Sequence, residues 1–128
     1  MKTIYFLVLS MALLSCINEN KNDEGINVQI INNADTKLDS VKLYTYTGNY
    51  FFCDSLLIED INPKTDNTQW YGLRPCNSDG AFLIKAFLNG NTFEQGYGYF
   101  TNGMFLDDKI TISIDNDSLF ITSVTSIR

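Results

Sequence analysis

The chain has 128 residues, of which 15 are acidic and 9 are basic, so its formal net charge is −6. An acidic chain repels a phosphate backbone, and we therefore expect no nucleic-acid partner. The sequence contains no histidine, which excludes Ser-His and Cys-His catalysis, histidine-ligated zinc and a histidine pH switch.

The first residues have the features of an export signal. Lys2 supplies one positive charge, and Ile4–Leu14 is a mostly apolar run. A charged start followed by about 7–15 apolar residues is typical of a secretory signal. The run is too short to cross a bilayer as a helix, which takes about 20 residues. Residues 1–15 are therefore predicted to be a signal peptide.

The end of this segment, Leu13-Leu14-Ser15-Cys16, is similar to a lipoprotein signal peptide of type II. The resemblance implies that Cys16 carries a thioether-linked diacylglycerol and an acylated α-amine. More than one acyl chain is needed for stable anchoring, and such a cysteine has three. The protein would then be exported and lipid-anchored to the bacterial outer membrane, on its periplasmic or cell-surface side. The alternative is an ordinary signal peptide followed by an incidental cysteine.

Residues 16–25 are predicted to be the lipidated cysteine and a flexible linker, because Ile17–Gly25 is polar and has no apolar period. Within it, Lys21-Asn22-Asp23-Glu24 resembles the lysine-plus-acidic signals that send Bacteroidota-type lipoproteins to the cell surface. A solvated spacer is the alternative interpretation of these four residues.

Residues 26–128 are predicted to form one all-β domain, an antiparallel β-sandwich of about seven to eight strands. Apolar and polar residues alternate with period two between turn residues, which is typical of such a fold. Loops are predicted at 62–67 and 74–80, and turns at 48–49, 89–91 and 102–103. The predicted strands are 26–32, 40–47, 51–58, 68–73, 81–88, 92–100, 109–115 and 119–124.

Four segments support a resemblance to a family: Ser40–Tyr44, Asn77–Gly80, Gly96–Gly103 and Ile110–Ile114. They are similar to segments of small Bacteroidota-type lipoproteins of unknown function, whose pattern is immunoglobulin-like or transthyretin-like. The Gly-Tyr-Gly-Tyr-Phe-Thr-Asn-Gly run at 96–103 is the most specific of the four. The resemblance implies a β-sandwich and supplies no activity.

Cys53 and Cys76 are the cysteines left after the predicted lipidation site. An exported compartment permits a disulfide, and closing this loop would stabilise the fold by about 3 kcal/mol in the chain-entropy model. Two separate buried thiols are the alternative.

Aromatic residues beside turns are the candidate ligand-binding residues, namely Trp70, Tyr71, Tyr97, Tyr99 and Asn102. Sugar-binding modules stack rings on the apolar faces of sugars, and neighbouring amides bond the hydroxyls. Core and cross-strand packing is the alternative, since β-strands favour aromatic residues. Strand alternation predicts that Tyr97 and Tyr99 are either both buried or both exposed.

Acidic residues suggest neither a metal site nor a catalytic pair. Asp115-Asn116-Asp117 and Asp107-Asp108 fit turn chemistry, and no complete calcium loop is present. Glu59 and Asp60 are adjacent in a predicted strand, so they would point to opposite faces. We expect no metal and no cofactor, and we expect that the protein is not an enzyme.

The sequence therefore favours a lipid-anchored envelope lipoprotein that is a non-enzymatic protein-binding or scaffolding module. Its partners would be the membrane, through the acyl chains, and another envelope protein, with β-strand addition as one concrete mode. A surface glycan-binding module that uses exposed aromatics is the alternative.

Overall fold

The structure, a computed structural model, describes residues 25–125. The predicted signal peptide, the predicted lipidation site at Cys16 and almost all of the predicted linker lie outside these residues. The described chain forms two β-sheets and contains no helix, which confirms the predicted all-β sandwich. The nine strands are β1 (Ile26–Asn32), β2 (Leu38–Tyr46), β3 (Phe52–Ile61), β4 (Thr65–Tyr71), β5 (Gly80–Leu88), β6 (Asn91–Thr101), β7 (Met104–Phe105), β8 (Asp107–Ile114) and β9 (Leu119–Thr125).

The four-stranded sheet has the order β4-β1-β8-β9, and the five-stranded sheet has the order β3-β2-β5-β6-β7. Neighbouring strands are antiparallel with one exception, the parallel pair β1 and β8. Val28 lies opposite Ile110 in this pair, and Ile30 lies opposite Ile112. These two strands are far apart in sequence, so sequential hairpins could not predict their pairing.

The core lies between the sheets and follows the predicted alternation. In β1, Ile26, Val28 and Ile30 are buried while their neighbours are half-buried. In β8, Ile110, Ile112 and Ile114 are fully buried and face the same core. Burying an aliphatic side chain of this size contributes about 1.5–3 kcal/mol, so these two adjacent strands supply much of the apolar burial.

Two local predictions were inaccurate. The predicted loop at 62–67 is a tight turn, and Thr65 already begins β4. Lys64 has a φ of 55°, and the Thr65 hydroxyl donates to the Asn62 carbonyl at 2.6 Å, which together shorten the turn. The short strand β7 was not predicted. It follows the turn at Asn102 and Gly103, whose φ values of 49° and 73° suit a tight hairpin.

The sandwich has two ends that differ in their connections. We call the end at which β1 begins the entry end, because the chain enters the domain there. It carries the β2–β3 turn (residues 47–51), the loop 72–79 and the β6–β7 turn (102–103). The opposite end, which we call the distal end, carries the connections 33–37, 62–64, 89–90 and 115–118.

Candidate binding surfaces

The entry end collects most of the large apolar side chains that face solvent. Two of the exposed large hydrophobic residues lie elsewhere: Leu57 in the middle of β3 and Phe120 near the distal end. The remaining exposed large hydrophobic residues all lie at the entry end: Tyr50, Phe51, Phe52, Trp70, Tyr99, Met104, Leu106 and Val124. Exposed apolar residues gathered at one end of a domain mark an interaction surface more often than scattered single residues do.

The β2–β3 turn projects two of these rings. The Tyr50 amide donates to the Thr47 carbonyl at 2.9 Å, and the Thr47 amide donates to the Phe51 carbonyl at 3.1 Å. Tyr50 has a φ of 56°, which closes the turn, and its ring stacks on Tyr46 at a centroid distance of 5.7 Å. The turn is therefore well ordered by its own bonds, although Phe51 is 69% exposed.

A disulfide between Cys53 and Cys76 joins the start of β3 to the loop 72–79, with a Cα–Cα distance of 5.4 Å. Two hydrogen bonds reinforce this connection. The Arg74 amide donates to the Asp54 carboxylate at 2.9 Å, and the Thr45 hydroxyl donates to the Arg74 carbonyl at 2.7 Å. The result is an open cleft of about 420 Å³ lined by Thr47, Phe51, Phe52, Cys53, Arg74, Pro75, Cys76, Asn77 and Ser78.

Asp79 ties the same loop to the β6–β7 turn. It accepts hydrogen bonds from the Tyr99 hydroxyl at 2.7 Å, the Thr101 hydroxyl at 2.8 Å and the Asn102 amide at 3.1 Å. These donors, Tyr99 first, lower the pKa of Asp79, and the same carboxylate raises the pKa of Tyr99. Because three donors of the chain already bond this carboxylate, we assign it to holding the loops.

The structure does not bring the predicted ligand-binding rings together. Trp70 and Tyr71 lie in β4 of the four-stranded sheet, whereas Tyr97 and Tyr99 lie in β6 of the five-stranded sheet. Tyr71 and Tyr97 are half-buried and pack against the core. Burial raises the pKa of Tyr71. Asn102 contributes its backbone amide to Asp79. Trp70 and Tyr99 are therefore the two exposed rings of the set, and they belong to different sheets.

Tyr97 and Tyr99 do not share one environment, so the expectation from alternation was wrong. Tyr97 is half-buried, and its hydroxyl lies 3.0 Å from Ser123 Oγ, whereas Tyr99 is exposed. Gly98 between them has a φ of 67°, and the pairing of β5 with β6 slips by one residue here. Such a bulge adds a residue to one strand and resets which face the next side chains occupy.

The outer face of the five-stranded sheet carries a second group of rings that sequence reasoning missed. Tyr44 packs on Phe52 with centroids 5.1 Å apart, and Lys42 Nζ lies 5.9 Å from the centre of the Phe87 ring. Leu83 is buried without belonging to the core cluster. The signal was available, because Tyr44 and Tyr46 alternate with core residues of β2, and Leu83 and Phe87 alternate with core residues of β5.

Strand β3 forms one edge of this sheet. It has ten residues and pairs with β2 alone, so the backbone along its other side is open to a further strand. On the outer face of its middle, Leu57 is 48% exposed between Ser55 and Glu59. At the neighbouring β2 position, Lys42 lies opposite Leu57. This edge and the entry end are the two surfaces with the chemistry of a binding site.

Metal and membrane-spanning features are not found in the described part of the chain. Among residues 25–125, no group of three or more ligating side chains is placed to hold a metal ion. The acidic pairs near Asp107 and Asp115 lie at opposite ends of β8. No helix in that same range is both long and apolar enough to cross a bilayer.

Comparison with known proteins gives little guidance. No protein-family model matches the chain, and no curated protein matches it. A solved structure described as an NMR structure of a protein from Eubacterium rectale is similar at 10% sequence identity, with a TM-score of 0.47. The match covers 81% of this chain and 92% of that one. A likeness this distant carries no argument about function.

Proposed function

We propose that this chain is a lipid-anchored envelope protein, without catalytic activity, that binds another envelope protein along the edge strand β3. The observation that carries the proposal is a ten-residue edge strand that pairs on one side only and exposes Leu57 in its middle. An extended segment of a partner can add to such an edge, with main-chain hydrogen bonds for affinity and side-chain pockets for specificity.

The side chains around Leu57 favour a protein ligand. Phe52 and Tyr44 pack on each other beside the edge, and Lys42 lies next to Leu57 across the strands. Aromatic residues such as these are enriched in protein interfaces relative to the rest of the surface. A partner strand with apolar residues at alternate positions would bury Leu57 and extend the aromatic surface.

The charges on β3 disfavour pairing between two copies of the chain. In the symmetric antiparallel register that places Leu57 of one copy opposite Leu57 of the other, Asp54 would lie opposite Asp60 at both ends of the contact. Like charges directly opposite each other destabilise a strand pair. Edge strands in natural proteins carry charges that block self-association. The edge therefore suits a different chain with neutral or basic residues at those positions.

The other edges are less suitable. Strand β7 has two residues, and β4 has seven, with Asp66 on its outer face already bonded to the Gln29 amide at 2.8 Å. Strand β9 also has seven residues, and its pairing with β8 slips between Asp107 and Lys109. The glycan-binding alternative has no favourable observation, because its rings lie in two different sheets.

The tether in this proposal rests on Cys16 and its preceding residues. Acyl chains on that cysteine would hold the domain at a membrane, and the acidic, histidine-free domain would remain free to bind. Mass spectrometry of the protein isolated from membranes should show an acylated Cys16. Substitution Cys16→Ala should move the protein to the soluble fraction.

Site-specific photocrosslinking in the native envelope tests the binding edge. A photoreactive residue at Ser55, which is exposed on β3, should give a discrete adduct with one protein. The same residue at Thr122, which is exposed on the edge strand β9, is the matched control and should not. Substitution Leu57→Asp should lower the Ser55 adduct about tenfold, the effect of losing a strong interface residue. Equal adducts from both positions, or none from Ser55, would refute the proposal.

A further inference from the structure

We propose that the entry end rests directly on a lipid bilayer, with the side chains of Tyr50, Phe51, Met104 and Leu106 in the head-group region. This inference builds on the proposed lipid tether and adds an orientation to it. The domain would then stand on its apolar end with its distal end away from the membrane, and the β3 edge would remain accessible from the side.

The exposed large apolar residues are concentrated at the entry end of the sandwich. Phe120 is 56% exposed near the distal end, where the surrounding turns are polar. At the entry end, the exposed large apolar side chains come from separate elements: the β2–β3 turn, the end of β4, the β6–β7 hairpin and the end of β9. Apolar side chains that several elements contribute to one end are spread over that end and do not line a single groove. Such an arrangement suits a bilayer better than it suits a peptide.

The N-terminal segment joins the domain at the entry end. Gly25 precedes β1 at the entry end, and Cys16 is nine residues earlier in the sequence. Nine residues span at most about 30 Å when fully extended. Acyl chains on Cys16 would therefore keep the entry end within that distance of the bilayer, and any apolar attraction would act at high local concentration.

Trp70 marks this junction. A β-carbon placed on Gly25 would lie 2.3 Å from Cζ2 of Trp70 and 2.5 Å from the Tyr71 carbonyl oxygen, so only glycine lets the chain pass this close to the indole. Trp70 remains about half exposed. Tryptophan and tyrosine are the residues enriched where a protein meets the membrane interface. The chain thus enters the domain beside a ring suited to that interface.

The acidic side chains at the entry end accept hydrogen bonds from other groups of the protein. Asp79 accepts three hydrogen bonds, the Asp54 carboxylate accepts two, and Asp107 accepts one from the Thr125 hydroxyl at 2.7 Å. These carboxylates are thus bonded within the protein, while the apolar side chains of the entry end face solvent. The net charge of the chain is negative, so we expect contact with zwitterionic lipid through apolar insertion and not with anionic lipid.

The single tryptophan of the sequence provides a direct test, because all indole fluorescence comes from Trp70. The protein isolated from membranes is reconstituted into vesicles of phosphatidylcholine whose acyl chains are brominated near the head group. We expect roughly twofold quenching relative to unbrominated vesicles, since interfacial side chains lie about 5–10 Å into the head-group and acyl boundary.

Two phenylalanines give a matched pair of variants. Phe51→Ser removes an exposed ring from the entry end, and Phe120→Ser removes a similarly exposed ring near the distal end. Both positions are exposed, so neither variant should alter the far-ultraviolet circular dichroism spectrum. We expect Phe51→Ser to reduce the quenching of Trp70 by at least half and Phe120→Ser to leave it unchanged.

The test separates this inference from the tether. If mass spectrometry finds no lipid on Cys16, the chain can be coupled to vesicles through the Cys16 thiol with a maleimide lipid, since Cys53 and Cys76 are already bonded to each other. Quenching in that arrangement would support the orientation although the tether proposal had failed. Absence of quenching in tethered protein, or an equal loss in both variants, would overturn the orientation and leave the tether standing.

Discussion

The two ends of this sandwich are built from different interactions. At the distal end, the connections are polar and cross-linked by charge, with Lys37 2.6 Å from Asp60 and Lys64 2.9 Å from Asp35. At the entry end, a disulfide fixes the main loop, and most of the exposed large apolar side chains lie there. The distal end is suited to water on all sides, whereas the entry end exposes apolar surface that a second phase or a partner can cover.

A single buried side chain organises the distal end. The Asn32 amide lies within 3.0–3.1 Å of the carbonyls of Thr36, Ile61 and Asn62, and its oxygen accepts from the Ala34 amide at 3.0 Å. This one residue therefore joins the connection after β1 to the connection after β3. Similar loop-to-loop restraint is therefore achieved by hydrogen bonds at the distal end and by a covalent bond at the entry end.

The largest expected effect is on the covalent restraint. The double variant Cys53→Ala/Cys76→Ala should lower the free energy of unfolding by about 3 kcal/mol, because the unfolded chain regains the freedom of the loop. Urea denaturation measures this. Reduction of the natural protein with dithiothreitol should give the same shift, and an unchanged midpoint in both cases would contradict the prediction.

Hydrogen exchange would show where that restraint acts. After reduction, we expect faster exchange for amides of the β2–β3 turn and of the loop 72–79, since both lose their connection. For amides around Asn32 that exchange through local opening, the rate should not change, because the contacts of the distal end do not depend on the disulfide. Uniformly faster exchange would mean that the two ends are not independent.

The next effect concerns the distal end. Asn32→Ala should lower the free energy of unfolding by about 2–3 kcal/mol, because it leaves several buried carbonyls and one amide without their partner. The neighbouring residue is the matched control. Asn33 is exposed and donates to the Ser113 hydroxyl at 2.9 Å, so Asn33→Ala should cost less than about 1 kcal/mol. Similar losses for the two variants in urea denaturation would contradict this account.

Much of the fold could be predicted from the sequence because burial follows a period of two. The alternation of Ile26, Val28 and Ile30 defined β1 with its observed bounds, and the same pattern defined β8 and β9 to within two residues. The partner of β1 could not be predicted in this way. Pairing with β8 depends on packing between residues about 80 positions apart, and local patterns do not contain that information.

The candidate surfaces were harder to predict than the fold. The entry end gathers residues from four elements, and only the connectivity shows that the turn at Phe51 and the strand end at Val124 lie at the same end of the sandwich. The positive φ of Gly98 separated Tyr97 from Tyr99, and glycine in a strand only suggests such a bulge. Asn32 ends the predicted strand 26–32, and its burial depends on a loop 30 residues away, which the strand pattern does not show.

The smallest expected effect distinguishes the carboxylates of the two ends. The pKa of Asp35 at the distal end is lowered by Lys64 first and then by Asn116, and the pKa of Asp79 at the entry end is lowered by hydroxyl and amide donors. Both carboxylates therefore stabilise the fold at pH values above their ordinary pKa of 3.8. Both contributions are lost as the pH falls through the lowered pKa of the folded state. Accordingly, the stability difference between the natural chain and either Asp→Asn variant should shrink on acidification.

The dependence of stability on salt concentration should distinguish Asp35 from Asp79, although its dependence on pH does not. Asp35 is paired with a solvent-exposed lysine, and raising the salt concentration to about 1 M reduces the screening length to about 3 Å. The effect of Asp35→Asn on the urea midpoint should therefore decrease with salt. The donors to Asp79 are neutral, so the effect of Asp79→Asn should persist. Equal salt dependence for the two variants would mean that the ends do not differ in how their carboxylates are held.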